Sequence, residues 1–188
     1  MSVAEPVHPN ATLRFAVSSG DLVEVVARRG RHRDLVYAAR ARELLLPTVG
    51  EATWSDTFVT ACTRVDRWWI IGPTRPPAET AARVAGMLGS GAIVVDQSSG
   101  YETVDLIGND WRSALASGCR LDLDKEIFRP GHAAATTIAQ VNVVLIPHPS
   151  GLLVLVPTTY AQHFREWLTH RATALDLPSQ QPTAEAPT

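Results

Sequence analysis

The sequence predicts an α+β fold, built from two related halves of antiparallel sheet with helices on one face of each. Two observations carry that expectation. Apolar runs of strand length, among them 22–27, 68–71 and 152–156, alternate with stretches of helical spacing. An apolar strand that ends in proline and feeds an amphipathic helix occurs twice, once as Trp68-Trp69-Ile70-Ile71-Gly72-Pro73 before 76–88 and once as Leu152-Leu153-Val154-Leu155-Val156-Pro157 before 159–172. Two copies are too few for a solenoid, and they suit a domain of two halves with helices covering one side of each sheet.

Taken in order, residues 1–12 read as a flexible N-terminus and 177–188 as a disordered tail with little to bury, leaving 13–176 as one domain. Leu22 to Ala27 is a β-rich run ended by the arginine-rich turn Arg28 to Arg33. Leu35, Ala38, Ala39, Arg42, Leu45 and Leu46 follow helical spacing up to Pro47. Phe58 to Val65 and Trp68 to Ile71 form a hairpin around Asp66. Pro76-Pro77 starts a helix whose stripe is Ala81, Val84, Ala85 and Leu88, stopped by Gly89 and Gly91. Ile93 to Val95 and Tyr101 to Ile107 read as a strand pair turning at Gln97-Ser98-Ser99-Gly100. Asn109 caps a short helix with Trp111, Ala114 and Leu115, ended by Gly118. Ala133 to Ile146 and Leu152 to Val156 are strands, and Thr158 or Thr159 caps a last helix with Tyr160, Phe164, Trp167, Leu168 and Arg171 inward.

Composition narrows the function classes. The 188 residues are 45% hydrophobic and 19% charged, enough for a packed core. A net charge of −2 gives no reason to expect nucleic acid as the main partner. No uncharged apolar run reaches membrane-spanning length and the N-terminus carries no secretory signal, so a cytoplasmic protein without a membrane is expected. The two cysteines, Cys62 and Cys119, lie far apart and are read as buried thiols.

Catalytic groups are not expected. His163 and His170 share a helix face but stand roughly 10 Å apart along the axis, too far for one metal. Ser98-Ser99-Gly100 lacks the Gly-x-Ser-x-Gly elbow, and Cys119 follows a helix end instead of opening a helix. Asp122 and Asp124 are read as caps of the turn after Leu121, since a calcium loop needs more oxygen ligands and a turn glycine. Gly86 to Gly91 follows a helix and is a stop, not a phosphate cradle. Four arginines in Arg28 to Arg33 form a solvated turn or a contact for a phosphate or an acidic partner. Neighbouring strand residues point to opposite faces, so one of Trp68 and Trp69 lies on the helix-covered side and the other needs a second layer or a partner protein. Trp68, Trp69, Arg31 and Arg33 are the partner-interface candidates; no catalytic, cofactor-binding or metal residue is assigned.

Specific motifs add a resemblance. Val94-Val95-Asp96, Asp105-Leu106-Ile107-Gly108, Gly118-Cys119-Arg120-Leu121-Asp122-Leu123, Phe128, Gly131 and Thr136 or Thr137 follow one another as in the gamma subunit of heterotetrameric sarcosine oxidase, which the chain resembles over about 20–172. Trp68 to Pro73 and Leu152 to Ala172 match that family's tryptophan strand and closing strand–helix. The chain departs from the pattern at Gln97-Ser98-Ser99-Gly100, where the family has Ser-His-Arg, and at Asn109 and Arg120, where it has proline. The resemblance implies a fold like a truncated folate-binding aminomethyltransferase-type domain and a structural subunit without cofactor. FAD, FMN, NAD, tetrahydrofolate and zinc would then belong to alpha-, beta- and delta-type partners. Such a complex oxidises sarcosine or a similar N-methyl amine to glycine, hydrogen peroxide and a one-carbon unit, as formaldehyde or methylenetetrahydrofolate. The alternative is a self-standing folate-binding one-carbon transfer protein, for which the chain is about half the usual length and no carboxylate facing the pterin is assigned.

Overall fold

The computed structural model describes residues 14–18, 20–72, 79–108 and 110–174. Ten strands and four α-helices lie among them. The strands are β1 (Arg14–Ser18), β2 (Leu22–Ala27), β3 (Ala52–Trp54), β4 (Val59–Arg64), β5 (Arg67–Ile71), β6 (Ala92–Asp96), β7 (Tyr101–Ile107), β8 (Ala134–Ile138), β9 (Val141–His148) and β10 (Gly151–Pro157). The helices are α1 (His32–Arg40), α2 (Glu79–Leu88), α3 (Trp111–Ala116) and α4 (Thr158–Ala174).

They form two five-stranded sheets, β1-β7-β10-β9-β8 and β3-β4-β5-β2-β6, with all pairs antiparallel. Three cores follow from strand alternation. Val104, Leu106, Leu145, Leu152 and Val154 pack under α3 and α4. Val23, Val25, Trp68 and Ile70 pack under α1 and α2. Leu22, Ala61, Val144, Ile146 and Leu155 fill the space between the sheets. The layers therefore run helix, sheet, sheet, helix. Both faces of β9 and β10 are covered, which is why their sequence is a continuous apolar run instead of an alternating one. Backbone bonds from the Ala52 N–H to the Gly131 carbonyl and from the Ala133 N–H to the Gly50 carbonyl join the sheets along the β3 and β8 edges, 2.8 Å each.

The repeat is more extensive than two strand–helix pairs. One unit runs β1-β2-α1-β3-β4-β5-α2 and the other β6-β7-α3-β8-β9-β10-α4. Their first strands are exchanged: β1 pairs with β7 of the second unit, and β6 pairs with β2 of the first. The two sheets are thus built in the same order, each completed by a strand from the other half.

Several sequence expectations need correction. Tyr101 to Ile107 does not pair with Ile93 to Val95; Gln97 to Gly100 instead carries the chain from one sheet to the other. Ala133 to Ile146 is two strands, broken where Ala139 and Gln140 take positive φ at a tight turn. The helix after Leu35 ends at Arg40 because the chain reverses at Glu43 (φ 62°), leaving Leu45 and Leu46 outside it. Ala85 and Tyr160 are exposed; the inner faces are Thr80, Val84 and Leu88 in α2, and Ala161, Phe164, Leu168 and Ala172 in α4. Thr158 lies inside α4, its hydroxyl donating to the Ser99 carbonyl at 3.1 Å. β1 and β3 had no sequence signal strong enough to read. The helix start at Pro76-Pro77, the cap at Asn109 and both terminal segments fall outside the described residues.

Candidate functional site

Glu24 is the one charged residue in Leu22-Val23-Glu24-Val25-Val26-Ala27. Alternation puts it on the inter-sheet face with Leu22, in register with Trp69 of β5 and Val95 of β6. Leu22 is covered by the opposite sheet, whereas Glu24 lies where the two sheets part, its side chain 17% exposed. Arg67 of β5 donates to Glu24 Oε1 at 2.8 Å. Gln97, just past β6, approaches Oε2 at 3.5 Å.

Around this ion pair the sheets enclose a cleft of about 510 Å³. Trp69 and Tyr101 form its aromatic wall, ring centroids 4.9 Å apart and ring planes inclined at 65°. Arg64, and Thr137 with Asn142 from β8 and β9, complete the polar rim. The Thr137 hydroxyl donates to Asn142 Oδ1 at 3.0 Å. Burial pushes the Tyr101 phenol above its ordinary pKa; the charge of Glu24 adds to that, and Arg64 opposes it. An aromatic wall beside opposed charges suits a planar, polar ligand.

A second, more open cleft of about 710 Å³ lies over α3. Arg112 organises it, stacking on Trp111 with 4.0 Å from guanidinium carbon to ring centroid and donating to the carbonyls of Leu123 (2.6 Å) and Phe128 (3.0 Å). Burial draws its pKa down. These bonds pin the irregular segment after Gly118. Asp122 and Asp124 accept the N–H groups of Asp124 and Glu126 at 2.9 and 2.8 Å, which makes them the turn caps expected. No cluster of three or more His, Cys, Asp or Glu side chains positioned for a metal occurs among the described residues.

The partner-interface candidates do not share one surface. Trp68 is buried beneath α1, 1% exposed, and its indole N–H donates to the Pro47 carbonyl at 2.8 Å, so it has no surface to offer a partner. Trp69 finds its second layer in the other sheet. Arg31 and Arg33 are exposed, and Arg31 pairs with Asp34 at 3.2 Å. Cys62 is buried as expected, while Cys119 is only half-buried; both are free. The sequence reading missed Glu24, Arg67, Gln97 and Tyr101. An acid on the inner face of an apolar strand was the available signal, and it could not be used before the second sheet was placed.

No protein-family model matches the sequence, and no curated protein is similar to it in sequence. Among solved structures, the chain resembles one from the heterotetrameric sarcosine oxidase of Corynebacterium sp. U-96, a complex with pyrrole 2-carboxylate. The TM-score is 0.77 at 19% identity, over 95% of this chain and 91% of that one. The fold is of the aminomethyltransferase type. The glycine cleavage system aminomethyltransferase T of Bartonella henselae superposes with a TM-score of 0.66 at 13% identity. There 86% of this chain is covered but 47% of the other, so this chain spans about half the length of that protein.

Proposed function

We propose that this chain is a gamma-type, non-catalytic structural subunit of a heterotetrameric, sarcosine oxidase-like complex. The observation that carries this reading is the near end-to-end match to one chain of such an oxidase, which neither protein exceeds by more than a small margin, against a match to only half of the aminomethyltransferase. The motif order around Gly118 to Leu123 supports it independently. In this proposal alpha-, beta- and delta-type companions in the cytoplasm hold FAD, FMN, NAD, tetrahydrofolate and zinc. Sarcosine, or a related N-methyl amine, reacts with dioxygen and water to give glycine, hydrogen peroxide and formaldehyde. With tetrahydrofolate in place of water, the one-carbon unit leaves as methylenetetrahydrofolate.

A second reading is favoured by Glu24. A half-buried carboxylate beside Trp69 and Tyr101 is the kind of group a pterin ring requires, and it would suit a self-standing folate-binding one-carbon protein. One experiment separates the two. The tagged chain is isolated from its native cells and examined by visible absorption and mass spectrometry. Flavin-bearing companions in fixed ratio are expected, with N-methyl amine oxidation by the assembly. A colourless monomer retaining folate would overturn the subunit reading.

A further inference from the structure

One end of the β6-β2-β5-β4 region gathers six arginines. The turn after β2 carries Arg28, Arg29 and Arg31, the first turn of α1 carries Arg33, and the β4–β5 hairpin carries Arg64 and Arg67. The chain folds these segments onto each other. The Ala27 N–H donates to the Asp66 carbonyl at 2.9 Å, His32 Nδ1 lies 2.6 Å from Asp66 Oδ1, and the His32 ring rests 5.6 Å from that of Trp68. Six exposed guanidinium groups therefore sit on a fixed platform in a chain whose net charge is −2.

The nearby carboxylates pair with only two of them. Asp34 pairs with Arg31, Glu24 with Arg67, and Asp66 with His32. No ion pair among the described residues engages Arg28, Arg29, Arg33 or Arg64. Apolar side chains lie within the same patch. Ile93 of β6 is in register with Val26, and Val26 with Arg67, so aliphatic and cationic groups share one cross-strand row. Ile93 is 46% exposed, and Val65 at the hairpin tip is 72% exposed.

We propose that this basic end is the docking face for an acidic, apolar-centred surface of a companion subunit, a proposal that rests on the subunit reading above. Exposed aliphatic groups beside exposed guanidinium groups match the mix of apolar centre and polar rim of a protein interface. Arginine is suited to bidentate contact with carboxylates, and Arg28, Arg29, Arg33 and Arg64 have no ion-pair partner among the described residues. Arg64 and Arg67 also line the inter-sheet cleft, so a companion seated here covers one rim of it.

The test compares the tagged wild-type chain with the triple variant Arg28→Glu, Arg29→Glu, Arg64→Glu, each expressed in the native host. Arg129→Glu, an exposed arginine outside the patch, is the control. Retained flavin absorbance and companion mass are read against salt concentration, with circular dichroism confirming that each variant is folded. The triple variant is expected to lose companions about tenfold at moderate salt. Wild-type retention should fall as salt shortens the screening length from about 10 Å at 0.1 M to about 3 Å at 1 M. A folded triple variant that keeps its companions like wild type, with the same salt dependence, overturns the docking face and leaves the subunit reading standing. A wild-type chain that brings down no flavoprotein, or nucleic acid instead, overturns both.

Discussion

Trp69 and Tyr101 meet edge to face at 4.9 Å although they belong to different sheets, and they close one side of the inter-sheet cleft. Such pairs contribute about 0.5–1.5 kcal/mol beyond the area they bury. A double-mutant cycle with Trp69→Leu and Tyr101→Leu is expected to return a coupling energy in that range by urea unfolding. Additive effects would mean that the sheets are held together without this contact.

Tyr101 also reports on the cleft. Its raised pKa rests first on burial and then on Glu24. Glu24→Gln should lower the phenol pKa toward its ordinary value, seen as an earlier onset of tyrosinate absorbance on alkaline titration. Because the folded-state pKa is raised, the stability it contributes is complete below the ordinary phenol pKa and is lost as pH rises through the folded value. Glu24→Gln should therefore shrink the alkaline part of the stability profile.

Asp96 behaves in the opposite sense. Its Oδ1 accepts both the Ser98 hydroxyl (2.6 Å) and the Ser98 N–H (2.9 Å), which holds its pKa below the usual carboxylate range. The stabilisation is present above the ordinary carboxylate pKa and disappears as pH falls through the folded value. Ser98→Ala removes the hydroxyl bond and should raise the Asp96 pKa in an NMR titration. Since Asp96 is exposed, the accompanying change in acid stability should be small.

Two glycines should fail for different reasons. A Cβ on Gly151 would stand 1.9 Å from the Leu106 carbonyl oxygen, inside the β7–β10 pairing, where only backbone could yield. On Gly118 it would stand 2.4 Å from the Trp167 ring, a side chain that can shift. Gly118→Ala is expected to cost about 1–3 kcal/mol, as overpacking does. Gly151→Ala should cost more and lower the yield of folded protein, and melting temperatures of the two variants check the order.

The thiols should separate under alkylation. Burial raises the pKa of Cys62, whose Sγ lies 3.2 Å from the Arg64 carbonyl. Cys119 is half-buried beside α3. Iodoacetamide followed by peptide mass spectrometry should mark Cys119 first and Cys62 only on unfolding.

Elements with their own periodicity could be read from the sequence. Leu22 to Ala27 and the Asp66 hairpin emerged with their boundaries nearly intact, because alternation and a positive-φ turn are local signals. The strand β3 is three residues long, too short to show a period even though its partner β4 follows directly, and the pairing of β1 depends on the distant Thr103 to Ile107. The cleft was hidden for the same reason. Glu24, Trp69, Gln97 and Tyr101 converge only after two sheets have stacked, and nothing in their spacing announces that they meet.

The exchanged first strands bear on how the chain is made. As the polypeptide leaves the ribosome, β1 emerges first, yet its partner β7 follows only after the whole of the other sheet has been synthesised. Until then an extended segment containing Phe15 and Val17 has no ladder to join. Neither half can be released finished, and a nascent chain stalled between Asp96 and Tyr101 would hold one complete sheet and one orphan strand. Synthesis of the second half is thus what removes the hazard left by the first.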